Sequence, residues 1–252
     1  MAAHVKVMLE PAWVLHHYPY RDSSLLLEIL SREYGRVGLV ARGARSARGR
    51  WRGQLQTFRP LLLSWNLRGE LGTLTGLESR GAAGACGGRQ LLSACYLNEL
   101  LLRLLTRHDP HPGLFVAYEQ AVRGLASHPE PALRLFEKCL LQELGYGLLL
   151  DQEVDSGPPV AEDAFYEYHL ERGPVRCNHA RREGLVLRGS SLLALHHGVL
   201  DDPLACREAR RLMRAALALY LGARPLKTRE VLRQLSALSA AGQQPGNPDC
   251  GN

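Results

Sequence analysis

Residues 35–67 read GRVGLVARGARSARGRWRGQLQTFRPLLLSWNL. Both ends are short runs rich in Val, Leu and aromatics, the composition of half-buried strands. The middle differs. Between Leu39 and Gly53 lie five arginines, Arg42, Arg45, Arg48, Arg50 and Arg52, and no acid. Gly43, Gly49 and Gly53 punctuate them, which predicts a mobile loop between a third and a fourth strand. Working outward, AWVLHHYPY (12–20), SSLLLEILS (23–31) and ELGTLTGLES (70–79) complete the strand set. Five short strands within about 70 residues predict a small closed barrel, with the arginine-rich stretch as a loop at its edge.

Beyond the barrel the pattern changes. RGAAGACGG (80–88) is a Gly/Ala linker and a boundary. RQLLSACYLNELLLRLLTRH (89–108) carries apolar residues at helical spacing, at Leu91, Cys95, Leu97, Leu101, Leu104 and Leu105. GLFVAYEQAVRGLASH (113–128), EPALRLFEKCLLQELGYG (130–147) and DPLACREARRLMRAALALYLG (202–222) predict further helices, with Pro near the start or Gly at the end. PLKTREVLRQLSAL (225–238) predicts a last, short one. Residues 151–190 read as an irregular insert and 242–252 as a disordered tail. The expected class is α+β: a five-stranded oligonucleotide-binding (OB) barrel over residues 1–80, then a mostly α-helical domain over 81–241.

The chain holds 31 Lys+Arg against 25 Asp+Glu, a net charge of +6. Residues 1–80 hold 12 basic and 6 acidic side chains, and residues 81–252 hold 19 of each, so the surplus lies wholly in the barrel. Such an asymmetry points to a polyanion partner. Arginine makes up 28 of the basic residues, which GC-rich codon usage also explains; the lack of acids around the loop is the stronger observation. Phosphates dominate nucleic-acid affinity, and guanidinium forks neutralise them. Trp51 lies within the run and Phe58 just after it, either of which can stack on a base. For Phe58, Trp65 and Tyr20 a core role is favoured. Trp51 sits among charges and is read as a base-stacking residue. The competing reading is a solvated loop whose charge serves solubility.

Catalytic signatures are missing. The sequence has no GxxxxGK[ST], no HExxH and no GxSxG. Asp201–Asp202 precede a helix start and are read as capping residues. His16–His17 and His196–His197 are adjacent in sequence and read as no catalytic dyad. The chain is read as a binding protein, not an enzyme, with no cofactor. Its six cysteines are scattered, and no run of 18 apolar residues occurs, so a soluble, cytoplasmic protein with reduced thiols is expected. Arg207, Arg210, Arg211 and Arg214 share a helix face, and Arg224, Lys227, Arg229 and Arg233 form a second basic segment. Solvated charge is favoured for the first. Docking through Leu226, Val231, Leu232 and Leu235 is favoured for the second.

The strand series above resembles the N-terminal domain of the RecO family of bacterial recombination-mediator and DNA-repair proteins. The resemblance continues through LNELLLRLL (97–105), EPALRLFEKCLLQELGYGLLLD (130–151), YEYHLERGPVR (166–176) and LYLGARPLKTREVLRQL (219–235). It implies binding of single- and double-stranded DNA, annealing of complementary strands, partnership with RecR, and help in loading RecA onto strands coated by single-strand-binding protein. It implies a nucleoid-associated protein in bacteria, with a monomer expected for the chain alone. It matches Arg42 to Arg52 to the DNA-contact region and the helix of Arg134 to the segment that receives the acidic C-terminal tail of single-strand-binding protein. Some family members carry a four-cysteine zinc site in the insert. Here the insert holds only Cys177, with His179 nearby and His196 and His197 beyond, and no metal is expected. Two other readings stay open: a non-catalytic scaffold subunit whose basic loop binds an acidic protein partner, and a barrel acting on structured RNA.

Overall fold

The structure is a computed structural model that describes residues 5–81, 87–154, 157–178, 184–231 and 233–234. Five strands form a closed barrel: β1 (Val5–Tyr20), β2 (Ser24–Ser31), β3 (Gly35–Ala41), β4 (Pro60–Arg68) and β5 (Leu71–Ser79). Their order around the barrel is β1-β2-β3-β5-β4, closed by a parallel pairing of β3 with β5. This is the expected OB-type barrel. β1 starts at Val5, well before Ala12, because a bulge between Val7 and Glu10 breaks the alternation that marks a strand in sequence. Leu27, Ile29, Val37, Leu39, Leu61, Leu63 and Trp65 fill the interior.

The helical part comprises α1 (Gly88–Leu104), α2 (Pro112–Gly124), α3 (Pro129–Glu143), α4 (Gly189–His197) and α5 (Pro203–Leu221). Proline stands in the first turn of α2, α3 and α5, where its missing N–H costs nothing. The Asp202 carboxylate accepts from the backbone N–H groups of Leu204 and Ala205, so it caps α5 as expected. The insert is not irregular. It forms a small sheet of β6 (Phe165–His169), β7 (Gly173–Cys177) and β8 (Val186–Arg188), in the order β7-β6-β8. Tyr166 and Tyr168 alternate inward into an apolar cluster with Leu187, Leu192 and Leu212, which gives these short strands a face to bury. The tail at 242–252, and most of the Gly/Ala linker, lie outside the described residues.

Barrel and helices share a core. Trp13, Leu15, Leu30 and Phe58 pack among Leu97, Leu101, Phe115, Tyr118 and Leu217. The Trp13 ring meets the edge of Tyr118 at 5.4 Å. Buried Asn98 donates to the Leu15 carbonyl at 2.8 Å and accepts from the Tyr118 hydroxyl at 2.6 Å. The Glu28 carboxylate, 5% exposed, pairs with Arg36 at 2.9 Å and with Arg107. Arg36 also donates to the carbonyls of Leu102 and Leu105 at the end of α1, satisfying acceptors that the helix leaves open. Gly35, at φ 63°, lets the chain lie against the Asp109 carbonyl, where a Cβ has no room.

Residues 227–231 are helical and dock on α1. Leu226 is buried, and the Arg103 guanidinium donates to the Arg224 and Pro225 carbonyls. The Glu99 carboxylate accepts from the backbone N–H groups of Lys227 and Thr228 and from the Thr228 hydroxyl. This is the expected docking of the second basic segment, although Val231 is exposed and Leu232 and Leu235 lie outside the described residues. Burial pushes the Glu99 carboxyl up, but those hydrogen bonds and Arg103 outweigh it and hold it below its ordinary 4.5. A carboxylate so depressed contributes stability above its unfolded value and loses it as pH falls through its folded value. The amide protection factors of Lys227 and Thr228 should therefore fall as pH drops from about 5 to about 3. Glu99→Gln should show the same loss already at neutral pH; equal protection in both proteins would contradict the anchor.

Candidate nucleic-acid interface

The segment between β3 and β4 carries the five arginines. Two features of its sequence determine its shape. Small residues allow tight turns, and successive N–H groups reach back three residues: Ser46 to Gly43, Gly49 to Ser46, Arg52 to Gly49 and Gln54 to Trp51, at 3.0–3.1 Å. Gly49 lies against the Gly43 carbonyl, a place no side chain can occupy. The loop is thus wound and fastened, where its glycines alone predict mobility. The Arg45 N–H donates to the Ser23 carbonyl at 2.8 Å, and the Arg50 guanidinium to the Thr75 carbonyl at 3.2 Å. Thr57 forms a parallel bridge with Val14. The loop therefore spans the mouth of the barrel, from the β1–β2 turn to β5.

Ala44, Trp51 and Leu55 plug that mouth and join the barrel core. This corrects the reading of Trp51. Its indole is 5% exposed, inside the core despite its charged neighbours in sequence, so it anchors the loop and does not stand on the surface as a stacking platform. The Arg50 guanidinium lies over the indole at 4.0 Å from the ring centre. Trp65 is fully buried, and Phe58 is buried in the core shared with the helices.

Arg42, Arg45, Arg48, Arg50 and Arg52 all lie exposed. Their hydrogen bonds run to carbonyls: Arg45 to Arg21, Arg50 to Thr75 and Arg52 to Ala47. Among the described residues, none of the five is within ion-pair distance of a carboxylate. The two buried acids of the barrel are engaged elsewhere. Glu10 accepts from Ser31 and from the Glu33 N–H, and Glu28 from Arg36 and Arg107. The field over the loop is uncompensated positive charge on a fixed backbone, the arrangement that attracts a phosphate chain.

A cleft of about 340 Å³ opens beside the loop, lined by His17, Leu25, Trp51, Gln56 and Thr57. Residues 16–19 of β1 are exposed on both strand faces although they stay paired with β2. The His16 and His17 rings lie 6.2 Å apart and nearly parallel, and Tyr18 meets His16 edge-on at 4.3 Å. The sequence did carry a signal for this site: HHYPY is polar-aromatic on both alternating faces, unlike a strand with one buried side.

The helical part holds the other singled-out residues. Arg134 is only 6% exposed and pairs with Glu137 at 3.0 Å, whose carboxylate also accepts from the Tyr96 hydroxyl at 2.6 Å. Its guanidinium thus lies in a buried network with Glu137 and Tyr96, not on the open surface of α3. Burial pushes the Glu137 carboxyl up, against the pull of Arg134 and the Tyr96 hydrogen bond, and burial beside Glu137 pushes the Tyr96 hydroxyl up. A groove lined by His128, Glu130, Asp201, Cys206, Arg207 and Arg210 runs between the starts of α3 and α5. Arg210 reaches Glu130 at 3.7 Å and Arg211 the Val186 carbonyl at 3.2 Å, while His179 lies outside the described residues. Among the described residues, no three His, Cys, Asp or Glu side chains are grouped to hold a metal ion. Nor is any described helix long and apolar enough to cross a membrane.

Comparison with known proteins adds a family. The family model described as "Recombination protein O N terminal" matches residues 6–82, and "Recombination protein O C terminal" matches residues 88–230. The chain is 51% identical to a DNA repair protein RecO of Alkalilimnicola ehrlichii, over 97% of this chain and 98% of that relative. It is 46% identical to one of Nitrosococcus oceani, over 97% and 100%, and 44% identical to one of Dechloromonas aromatica, over 92% and 98%.

The burial of Trp51 has a measurable consequence. Trp51→Ala should destabilise the protein by about 3–5 kcal/mol, as removal of a packed core aromatic does. Urea denaturation reads this directly. A loss below about 0.5 kcal/mol, the level of a surface change, would return Trp51 to the surface.

Proposed function

Because the chain belongs to the recombination protein O (RecO) family, we propose that it is a DNA-repair and recombination mediator. In this reading it binds single- and double-stranded DNA, anneals complementary strands and, with RecR, helps load RecA onto strands coated by single-strand-binding protein. It acts in the bacterial cytoplasm, at the nucleoid, by binding and without covalent chemistry. One observation carries the reading: five exposed arginines, unpaired with carboxylates among the described residues, on a loop stapled across the barrel mouth.

The mechanism follows from electrostatics. Two DNA strands repel each other through their phosphates. Guanidiniums that hold one backbone replace its counterions and lower that repulsion. Phosphate contacts carry no sequence information, so the bases stay free to pair. The acidic tail of single-strand-binding protein is assigned to α3 and the groove beside it. Arg207 and Arg210 supply charge at the groove's surface. Glu130 and Asp201 in the same groove limit how many tail carboxylates can enter.

Annealing of complementary labelled oligonucleotides tests the whole reading. The protein should accelerate annealing of bare strands and of strands coated with single-strand-binding protein. Replacing all five loop arginines with Ala should abolish both accelerations while the protein stays folded, at a total cost of up to about 2.5 kcal/mol, since exposed side chains contribute about 0.5 kcal/mol or less each. Acceleration of bare strands alone would remove the tail assignment. No acceleration in either case, with retained binding of an acidic protein partner, would favour a scaffold role.

A further inference from the structure

We propose that the cleft at the barrel mouth is a nucleobase subsite: it receives one unstacked base from a strand whose phosphates lie on the arginine loop. The inference rests on the DNA-binding reading above and adds to it the place where a base, as distinct from the backbone, is held.

Three observations support it. First, the cleft is the right kind of space. Its volume of about 340 Å³ lies at the lower end of the range for small-ligand sites, roughly 300–1,000 Å³. Second, its lining is mixed in the way a base requires. Leu25 and the Trp51 indole are apolar, and the exposed His17 ring offers a flat π-face. Gln56 offers an amide with both donors and an acceptor, and Thr57 a hydroxyl, enough to meet any base edge without selecting one. Third, the cleft is bounded by the loop itself. Trp51 is flanked in sequence by Arg50 and Arg52, and Gln56 follows on the same segment. A strand whose phosphates lie on those guanidiniums therefore runs along the same loop segment that borders the opening.

The position also solves a physical problem of annealing. A strand held only by phosphates can slide and fold back on itself, and a folded strand must be opened before it pairs with its complement. Holding one base in a cleft pins the strand at that point and keeps its neighbours extended. Because the amide and hydroxyl groups are not committed to one edge, the subsite tolerates all bases, as a sequence-independent annealing protein requires. Trp51, buried in the barrel core, contributes part of the wall of this site in place of the open stacking face that its sequence context suggests.

The test compares two probes: a short oligothymidylate and an abasic strand of the same length and charge. The full chain should bind the thymidylate strand at least about fivefold more tightly, the scale of one base–aromatic stack. His17→Ala and, separately, Gln56→Ala should erase most of that preference and leave affinity for the abasic strand unchanged. Both side chains are exposed, so the variants are expected to fold; urea midpoints equal to the parent confirm it. Equal binding of the two probes by the parent protein would overturn the subsite and leave backbone binding standing. A parallel loss for both probes in the variants would also overturn it, since His17 and Gln56 would then merely shape the loop. Binding of neither probe would sink the DNA reading and the subsite together.

Discussion

The carboxylate of Glu28 is the point on which the two halves of the molecule turn. It is buried in β2, and two guanidiniums converge on it: Arg36 from the neighbouring strand β3 and Arg107 from the segment after α1. Arg36 in turn holds the last carbonyls of α1. A buried charge is tolerated only when paired, and removing one partner of such a pair costs about 3–5 kcal/mol. The cluster therefore fixes the barrel against the helices, with the shared apolar core around Trp13 and Tyr118 supplying the area. It has a second effect, at a distance. The acid of β2 is spent in the seam, so nothing in that strand offsets the charge of the loop.

The loop divides its residues by chemistry. Ala44, Trp51 and Leu55 enter the barrel, and the arginines between them face out. Burying an indole holds the backbone in one path, and the turn hydrogen bonds tighten it. Arginines on a fixed path have less freedom to lose when a phosphate chain arrives, which raises affinity without any new contact. The same plug shapes the cleft beside His17, so anchoring, charge display and base capture all depend on one short segment.

Much of this was legible in the sequence, and the exceptions have physical causes. The barrel showed because its strands are short, apolar and separated by turn residues, and the helices because Leu and Ala recur at helical spacing between Pro and Gly. The start of β1 was hidden by its bulge. β6, β7 and β8 were hidden by their brevity, although FYEYH alternates as a half-buried strand should. Trp51 was misplaced because sequence neighbours report charge nearby along the chain, while a turn can send adjacent side chains in opposite directions. Arg134 followed the same logic in reverse. A basic residue on an amphipathic helix usually faces water, but Glu137 one turn later and Tyr96 from α1 give it a buried partner network that no local pattern reveals.

The central claim is that the loop arginines hold a phosphate backbone. The most direct measurement is the salt dependence of affinity for a single strand. Three to five phosphate contacts predict a slope of log K against log salt of roughly −2 to −3.5. Replacing Arg48 and Arg52 with Ala should make that slope shallower by about 1.4, because each single-strand contact contributes about 0.7. A slope near zero in the parent protein, or one unchanged by the double replacement, would contradict the account.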